Sequence, residues 1–278
     1  MSRAVLAGIF LAFGLIPVIL GLFWRPFPPE AIVAEPFLPP SLAHPFGTDW
    51  FGRDLFSRVL AAGRLSWAVS LLGTLGGGAS GIVLGFLAGY FRGILSETIL
   101  GISSGLLAFP AVLLALVLAA VLGPGLSGVA TALVLFNLPY FLRLAHAGTL
   151  EIKEREHVLS AKAIGVSFPS IFFRHILPLM ASPLLVQTTF ALGATLLAEA
   201  SLSYLGLGIQ PPHPTLGRML WEAQSWLGHS PYPALFPGLF LAFSVLGLNL
   251  LGDLLRDLLD PRLRHLFHPF PTSPKGRR

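Results

Sequence analysis

Few residues in this chain are equipped for chemistry, and their placement is uneven. Glu199 is the one acid well inside an apolar run, Leu196-Leu197-Ala198-Glu199-Ala200. A carboxyl group there could bind an amino group, carry a proton, or pair inside a helix bundle. An acid in such a setting is a functional candidate by default, and a gating or structural role is the preferred reading. Arg53 and Asp54 sit just ahead of a second apolar run, with Asp49, Arg58 and Arg64 nearby, so pairing can offset charge there. The 8 histidines are scattered. His265 and His268 stand close together in a charged tail, and His213 and His229 flank a loop without further ligands, so no metal site is expected. The chain lacks His-Glu-x-x-His and Gly-x-x-x-x-Gly-Lys, the patterns of zinc hydrolases and phosphate-binding loops. Gly-x-Ser-x-Gly occurs once, at Gly101–Gly105, but inside an apolar helical run and not at the strand-to-helix turn of a nucleophile elbow. It is therefore not expected to be an enzyme, and any use of ATP would have to come through another subunit. Cysteine is absent, which excludes disulfides and thiolate metal sites.

The elements that must hold these residues are membrane helices. Of 278 residues, 54% are hydrophobic and 11% are charged, against about 25% charged in ordinary soluble domains. Such a chain has too little polar surface for water. The formal net charge is +5, yet the cations lie between and after apolar runs instead of on one helix face, which points to membrane topology and away from nucleic acid. A helix needs roughly 20 apolar residues to cross a bilayer. Stretches near 4–23, 65–88, 94–122, 128–145, 184–207 and 235–255 meet that length. The expected fold is all-α, with about six transmembrane helices. The first stretch is longer than the apolar region of a signal peptide and ends in Phe23-Trp24-Arg25-Pro26 without a small-x-small cleavage site, so it reads as a retained anchor. Arg25, Arg53, Arg58, Arg64 and Arg218 would fall on one side and the other 13 Lys and Arg residues on the opposite side. The positive-inside rule then places both termini in the cytoplasm. The stretch 54–67 reads as an amphipathic surface helix.

The second span carries Gly73, Gly77, Gly81, Gly85 and Gly89 at strict four-residue spacing. Small residues allow close helix contact in lipid, where the hydrophobic drive between helices is weak. Each step of four drifts about 40° around the helix, which suits a right-handed crossing or two different neighbours. Asn137, Gln187, Thr188, Thr189 and Asn249 are expected to hydrogen-bond between helices. Pro17, Pro110, Pro139 and Pro237 lie in or beside spans and can kink them. The longest inside loop, about 146–182, begins with charged residues up to His157, continues as the small-sided Val158–Ile164, and meets Gly165, which can stop a helix. A second short helix then leads through Ile176-Leu177-Pro178 into the fifth span. A helix-turn-helix lying on the membrane face could dock a soluble partner, or be a solvated connector.

Gly165 followed after ten residues by Ile176-Leu177-Pro178 resembles the cytoplasmic loop signature of binding-protein-dependent ABC importer permeases. The chain from about 40 to 265 is similar to the dipeptide/oligopeptide/nickel permeases, C-type subunit. His44–Arg58, Leu106–Pro110, Ala198–Pro212, Leu235–Gly238 and Asn249–Arg264 carry that likeness. The resemblance implies a type I ABC importer permease fold in the bacterial cytoplasmic (inner) membrane. Its implied partners are a second homologous permease subunit in a heterodimer, one or two ABC ATPase subunits, an extracytoplasmic substrate-binding protein and the bilayer, with no nucleic acid. It implies no cofactor in this chain, with ATP and Mg bound by the ATPases, and a cargo of di- or oligopeptides, with nickel or another small solute as the alternative. The loop would dock an ATPase through Glu156, Leu159, Ser160, Ala161, Ala163 and Gly165, with Ile176, Leu177 and Pro178 behind them. An ion-coupled carrier is the less favoured alternative, since no internal repeat is visible and Glu199 is the one prominent intramembrane acid.

Two positions depart from the family pattern. Its loop opens Glu-Ala-Ala, where this chain reads Leu159-Ser160-Ala161, and Glu156 lies about one turn earlier. Ser104 stands where an aspartate is common. The organisation expected is an anchor at 1–24, an extracytoplasmic segment at 25–64, a permease core at 65–265 containing the coupling loop 146–182, and a basic tail at 266–278.

Overall fold

The computed structural model describes residues 3–259, and among them every extended element is helical. The expected tail 266–278, with His265 and His268, lies outside the described residues. Helix α1 spans Arg3–Phe23, α2 Leu55–Tyr90, α3 Ile94–Leu107, α4 Ala111–Leu122 and α5 Leu126–Ile152. Next come α6 (Glu156–Ala163), the single turn α7 (Phe168–Ser170) and a π-helical turn, Ile171–Ile176. These lead into α8 (Leu177–Tyr204), α9 (Leu216–Gln224) and α10 (Tyr232–Leu259).

Asp54 starts α2. Its backbone is extended and its carboxylate accepts a 2.8 Å hydrogen bond from the Ser57 amide, satisfying one of the free donors at a helix start. From there the helix runs 36 residues without a break. The stretch 54–67 is thus not a separate surface helix, and α2 runs through the expected boundary between 64 and 65 without a break. Val59, Leu60 and Ala62 are buried, so these first turns are core. The third span departs from expectation in the other direction. It breaks between α3 and α4, which are bent by 98°. Pro110 stands at the break; it lacks an amide donor and disfavours helix in the residue before it. The spans into α8 and α10 begin a few residues earlier than expected, at Leu177 and Tyr232, and α5 runs on to Ile152. Of the six expected spans, four helices are long and apolar enough to cross a bilayer on their own, or five if α3 and α4 together make one; α1 is a continuous helix of 21 residues.

The closest pair in the bundle is α2 with α5, and the glycine ladder explains it. A Cβ at Gly77 would lie 2.5 Å from the Val134 carbonyl oxygen, at Gly81 2.6 Å from that of Leu138 and at Gly85 2.3 Å from that of Leu142. Gly73 meets Leu133 Cβ at 2.5 Å and Gly89 meets Thr149 Cβ at 2.7 Å. The numbers rise together, so the two helices run parallel, and one neighbour takes the whole ladder. Any side chain would push the backbones apart, which is how small residues bind helices in lipid.

Candidate functional site

The two ends of this bundle differ in chemistry. At one end α6 projects beyond the long helices. Val166 N–H bonds the Ala161 carbonyl and Gly165 N–H bonds the Lys162 carbonyl, both at 3.0 Å, and Gly165 has φ +80°. That pair of bonds is the Schellman close of a helix, which needs a left-handed residue at this point. Val158 faces inward and is buried with Ile171, Phe172, Ile176 and Met180, and Ala161, one turn on, is buried as well. Glu156, Ser160 and Ala163 face outward. Leu159 is 50% exposed and Ile164 81%. Of the loop residues singled out in the sequence, Glu156, Leu159, Ser160, Ala163 and Gly165 therefore share an accessible surface. Ala161 and Ile176 support it from beneath, and Leu177 and Pro178 open α8. Glu156 lies in the first turn of α6, where a negative charge meets the positive end of the helix dipole, and it has no ion-pair partner among the described residues.

At the other end, residues 24–54 and α9 form a cap. Asp49 is fully buried; it accepts the amides of Phe51 and Arg53 at 2.8 and 2.9 Å and the Arg53 Nε at 2.6 Å. Arg58, 3% exposed, donates to Glu222 Oε2 at 3.1 Å and to the Pro29 carbonyl at 3.3 Å, with its Nε 3.6 Å from Asp49. Arg218 donates to the other Glu222 oxygen at 3.1 Å. Asp54 pairs with His44 at 2.9 Å while capping α2. The arginines near the start of α2 are thus neutralised by Asp49 and by Glu222 of α9, a partner the sequence reading did not identify. Its signal was the Arg218–Glu222 spacing of four on a short amphipathic helix. Arg53 and Asp54 hold the cap together through this network.

Glu199 is completely buried inside the bundle. It accepts from Ser203 at 2.7 Å, and its second oxygen has no hydrogen-bond partner. One turn away, Thr195 accepts from Asn137 at 2.9 Å and from Thr74 at 3.0 Å, joining α2, α5 and α8. Asn137 bonds between helices, as expected. Thr188 and Thr189 instead donate to carbonyls of their own helix, Leu184 and Val186. Thr74 and Thr195 carry the interhelical bonds; both were legible only as polar residues within apolar runs. Ser104 donates to the Leu100 carbonyl and accepts from Arg143 at 3.1 Å. No group of three or more His, Cys, Asp or Glu side chains suited to a metal occurs among the described residues.

Long apolar helices, a charge-paired cap at one end and a short helix with an exposed outer face at the other describe a chain suited to a membrane. The chain belongs to the family of binding-protein-dependent transport system inner membrane components, whose profile matches residues 81–265. It is 44% identical over 225 residues to the glutathione transport system permease protein GsiD of Pectobacterium atrosepticum, covering 81% of this chain and 75% of that one. It is 40% identical over 225 residues to the dipeptide transport system permease protein DppC of Alkalihalophilus pseudofirmus, covering 81% and 74%. A solved structure of the MetNI methionine ABC transporter in inward-facing conformations contains a chain of the same fold. Its TM-score is 0.60 at 18% identity, over 74% of this chain and 96% of that one. The protein is therefore a multi-pass inner-membrane permease component of an ABC importer, which works with ATPase and binding-protein partners and is not itself the catalytic subunit.

Proposed function

We propose that this permease moves di- or oligopeptides across the cytoplasmic membrane, powered by ATP that its partners hydrolyse. The observation that carries this reading is the exposed face of α6, where Leu159 and Ile164 have no cover within the chain. A large apolar side chain on a solvated loop suits a contact surface better than a connector. Relatives over four-fifths of the chain are named for glutathione, itself a tripeptide, and for dipeptides, which supports a peptide cargo. Both termini lie in the cytoplasm in this reading, so α6 meets the ATPase and the 24–54 cap faces the binding protein. The chain forms a heterodimer with a second, homologous permease, above one or two ATPase subunits. ATP and Mg bind those subunits, and this chain needs no cofactor of its own.

Coupling then follows from packing. The inward side of α6 is seated through Val158 against the π-helical turn and Met180 at the start of α8. A push on α6 is carried as a rigid body into the helix that holds Glu199, a two-state linkage of the kind found in hinge and shear transitions. Proteoliposomes holding the complete importer test the reading. Labelled dipeptide should accumulate only with ATP and the binding protein, and the pair Leu159→Asp and Ile164→Asp should abolish uptake while the permease still assembles. Uptake driven by an ion gradient without the ATPases would overturn it.

A further inference from the structure

Beside α6 lies a pocket that shares Leu159 with the proposed ATPase face and whose charged lining the transport reading leaves unused. Between Arg64 and Arg92, α2 and its end carry no charged side chain. At 1.5 Å per residue that interval is about 42 Å, the thickness of a bilayer with its headgroup layers. Arg92 therefore sits at headgroup level. It lines a cavity of about 350 Å³ with Tyr90, Lys153, Glu154, Leu159 and Lys162. Three cations thus face one acid, and that acid is held by Arg92 at 3.4 Å. Lys153 is buried, and its Nζ donates to the Gly89 carbonyl at 2.6 Å, closing the carbonyl end of α2. Lys162 Nζ lies 4.6 Å from the centre of the Tyr90 ring. Neither lysine has an ion-pair partner among the described residues. Burial first, then Arg92 and Lys162, push the Lys153 ammonium below its ordinary pKa against the opposing pull of Glu154. The pocket has an excess of positive charge and free ammonium donors.

We propose that this pocket binds the phosphate of an anionic lipid headgroup. Basic pockets between helices at the membrane surface take such groups. The surroundings favour a lipid over free phosphate. Phe91, Ile94 and Leu95, next along the chain, are exposed by 41%, 84% and 48% and offer an apolar ledge for an acyl chain. Phe86, Tyr90, Phe91 and Phe168 cluster with ring centres 4.8 to 5.5 Å apart, and Tyr90 among them is of the type enriched at membrane interfaces. A phosphate here would bridge the end of α2, the end of α5 and α6, and so fix the base from which Leu159 projects. The proposal does not depend on which solute is carried.

The test is lipid retention by the intact importer, measured by native mass spectrometry after exchange into phosphatidylglycerol or phosphatidylcholine. Phosphatidylglycerol should stay bound and phosphatidylcholine should not. Arg92→Gln and Lys162→Gln should each weaken retention about fivefold, the worth of one cation at a membrane surface. Lys162→Arg, which keeps the charge, should retain lipid even if the Gln variant folds poorly, and Arg174→Gln, an exposed cation outside the pocket, should change nothing. Retention indifferent to Arg92 and Lys162 overturns the proposal. So does displacement of the lipid by millimolar inorganic phosphate, which would make free phosphate the ligand. Loss of the ATPase in place of the lipid would assign the pocket to an acidic side chain of that partner and overturn it equally.

Discussion

At the cap end, Arg53, Arg58 and Arg218 converge on Asp49 and Glu222, with Asp49 and Arg58 buried and the others partly buried, and the pairing is made within one chain. At the α6 end, Leu159, Ile164 and Phe173 stand 50%, 81% and 63% exposed, and Glu156 has no ion-pair partner among the described residues. One end pairs charges across 164 residues of sequence; the other leaves apolar surface open on a helix of 8 residues. The contrast teaches where each region gets its stability. The cap is self-sufficient, so its residues matter to the isolated protein. The outer face of α6 adds little to the isolated protein and matters once a partner covers it.

Substitutions at the two ends should behave differently. The largest effect is expected from Arg58→Met, which removes the buried cation that Asp49 and Glu222 share and leaves each with one arginine, Arg53 and Arg218. Removing one member of a buried pair costs about 3–5 kcal/mol, seen as a lower unfolding temperature of the purified permease. A change near zero would mean that the cap is solvated and not sealed. A double-mutant cycle between Arg58→Met and Glu222→Gln should return a coupling of about 1–3 kcal/mol; strict additivity would remove Glu222 from the network. On α6 the two faces separate. Val158→Ala, on the buried side, should destabilise by about 1–3 kcal/mol. Gly165→Ala should cost about 1–2 kcal/mol through its left-handed backbone, since nothing lies within 4 Å of the added methyl. Ile164→Ala should fall within about 0.5 kcal/mol in the isolated protein and yet reduce the amount of ATPase that co-purifies. If Ile164→Ala instead destabilised the permease alone, its exposed face would have a partner inside the chain.

Local chemistry was legible in the sequence, and long-range pairing was not. Apolar runs gave the helices, and Gly165 marked the end of α6 because a left-handed residue leaves a visible glycine. The four-residue glycine spacing announced close packing, but whether one helix or two received it depended on the drift of the stripe against a partner that also curves. α5 follows the stripe from Leu133 to Thr149. The charges of 54–67 suggest a surface helix, whereas Arg58 is covered by α9 and by the chain around Pro29. Glu222 escaped notice since nothing local ties it to Arg58. The break at Pro110 was readable as a kink, though not its size, because neighbours set how far a broken helix folds back.

The central claim is that the exposed face of α6 is where the ATPase seats. The chain contains no cysteine, so Ser160→Cys introduces a single thiol on that face without altering the buried side. A short bifunctional reagent applied to the complete importer should link position 160 to the ATPase subunit, with a yield that changes when ATP is added. An assembled, transporting importer in which position 160 never links to the ATPase, while a thiol on the cap does, would contradict the account.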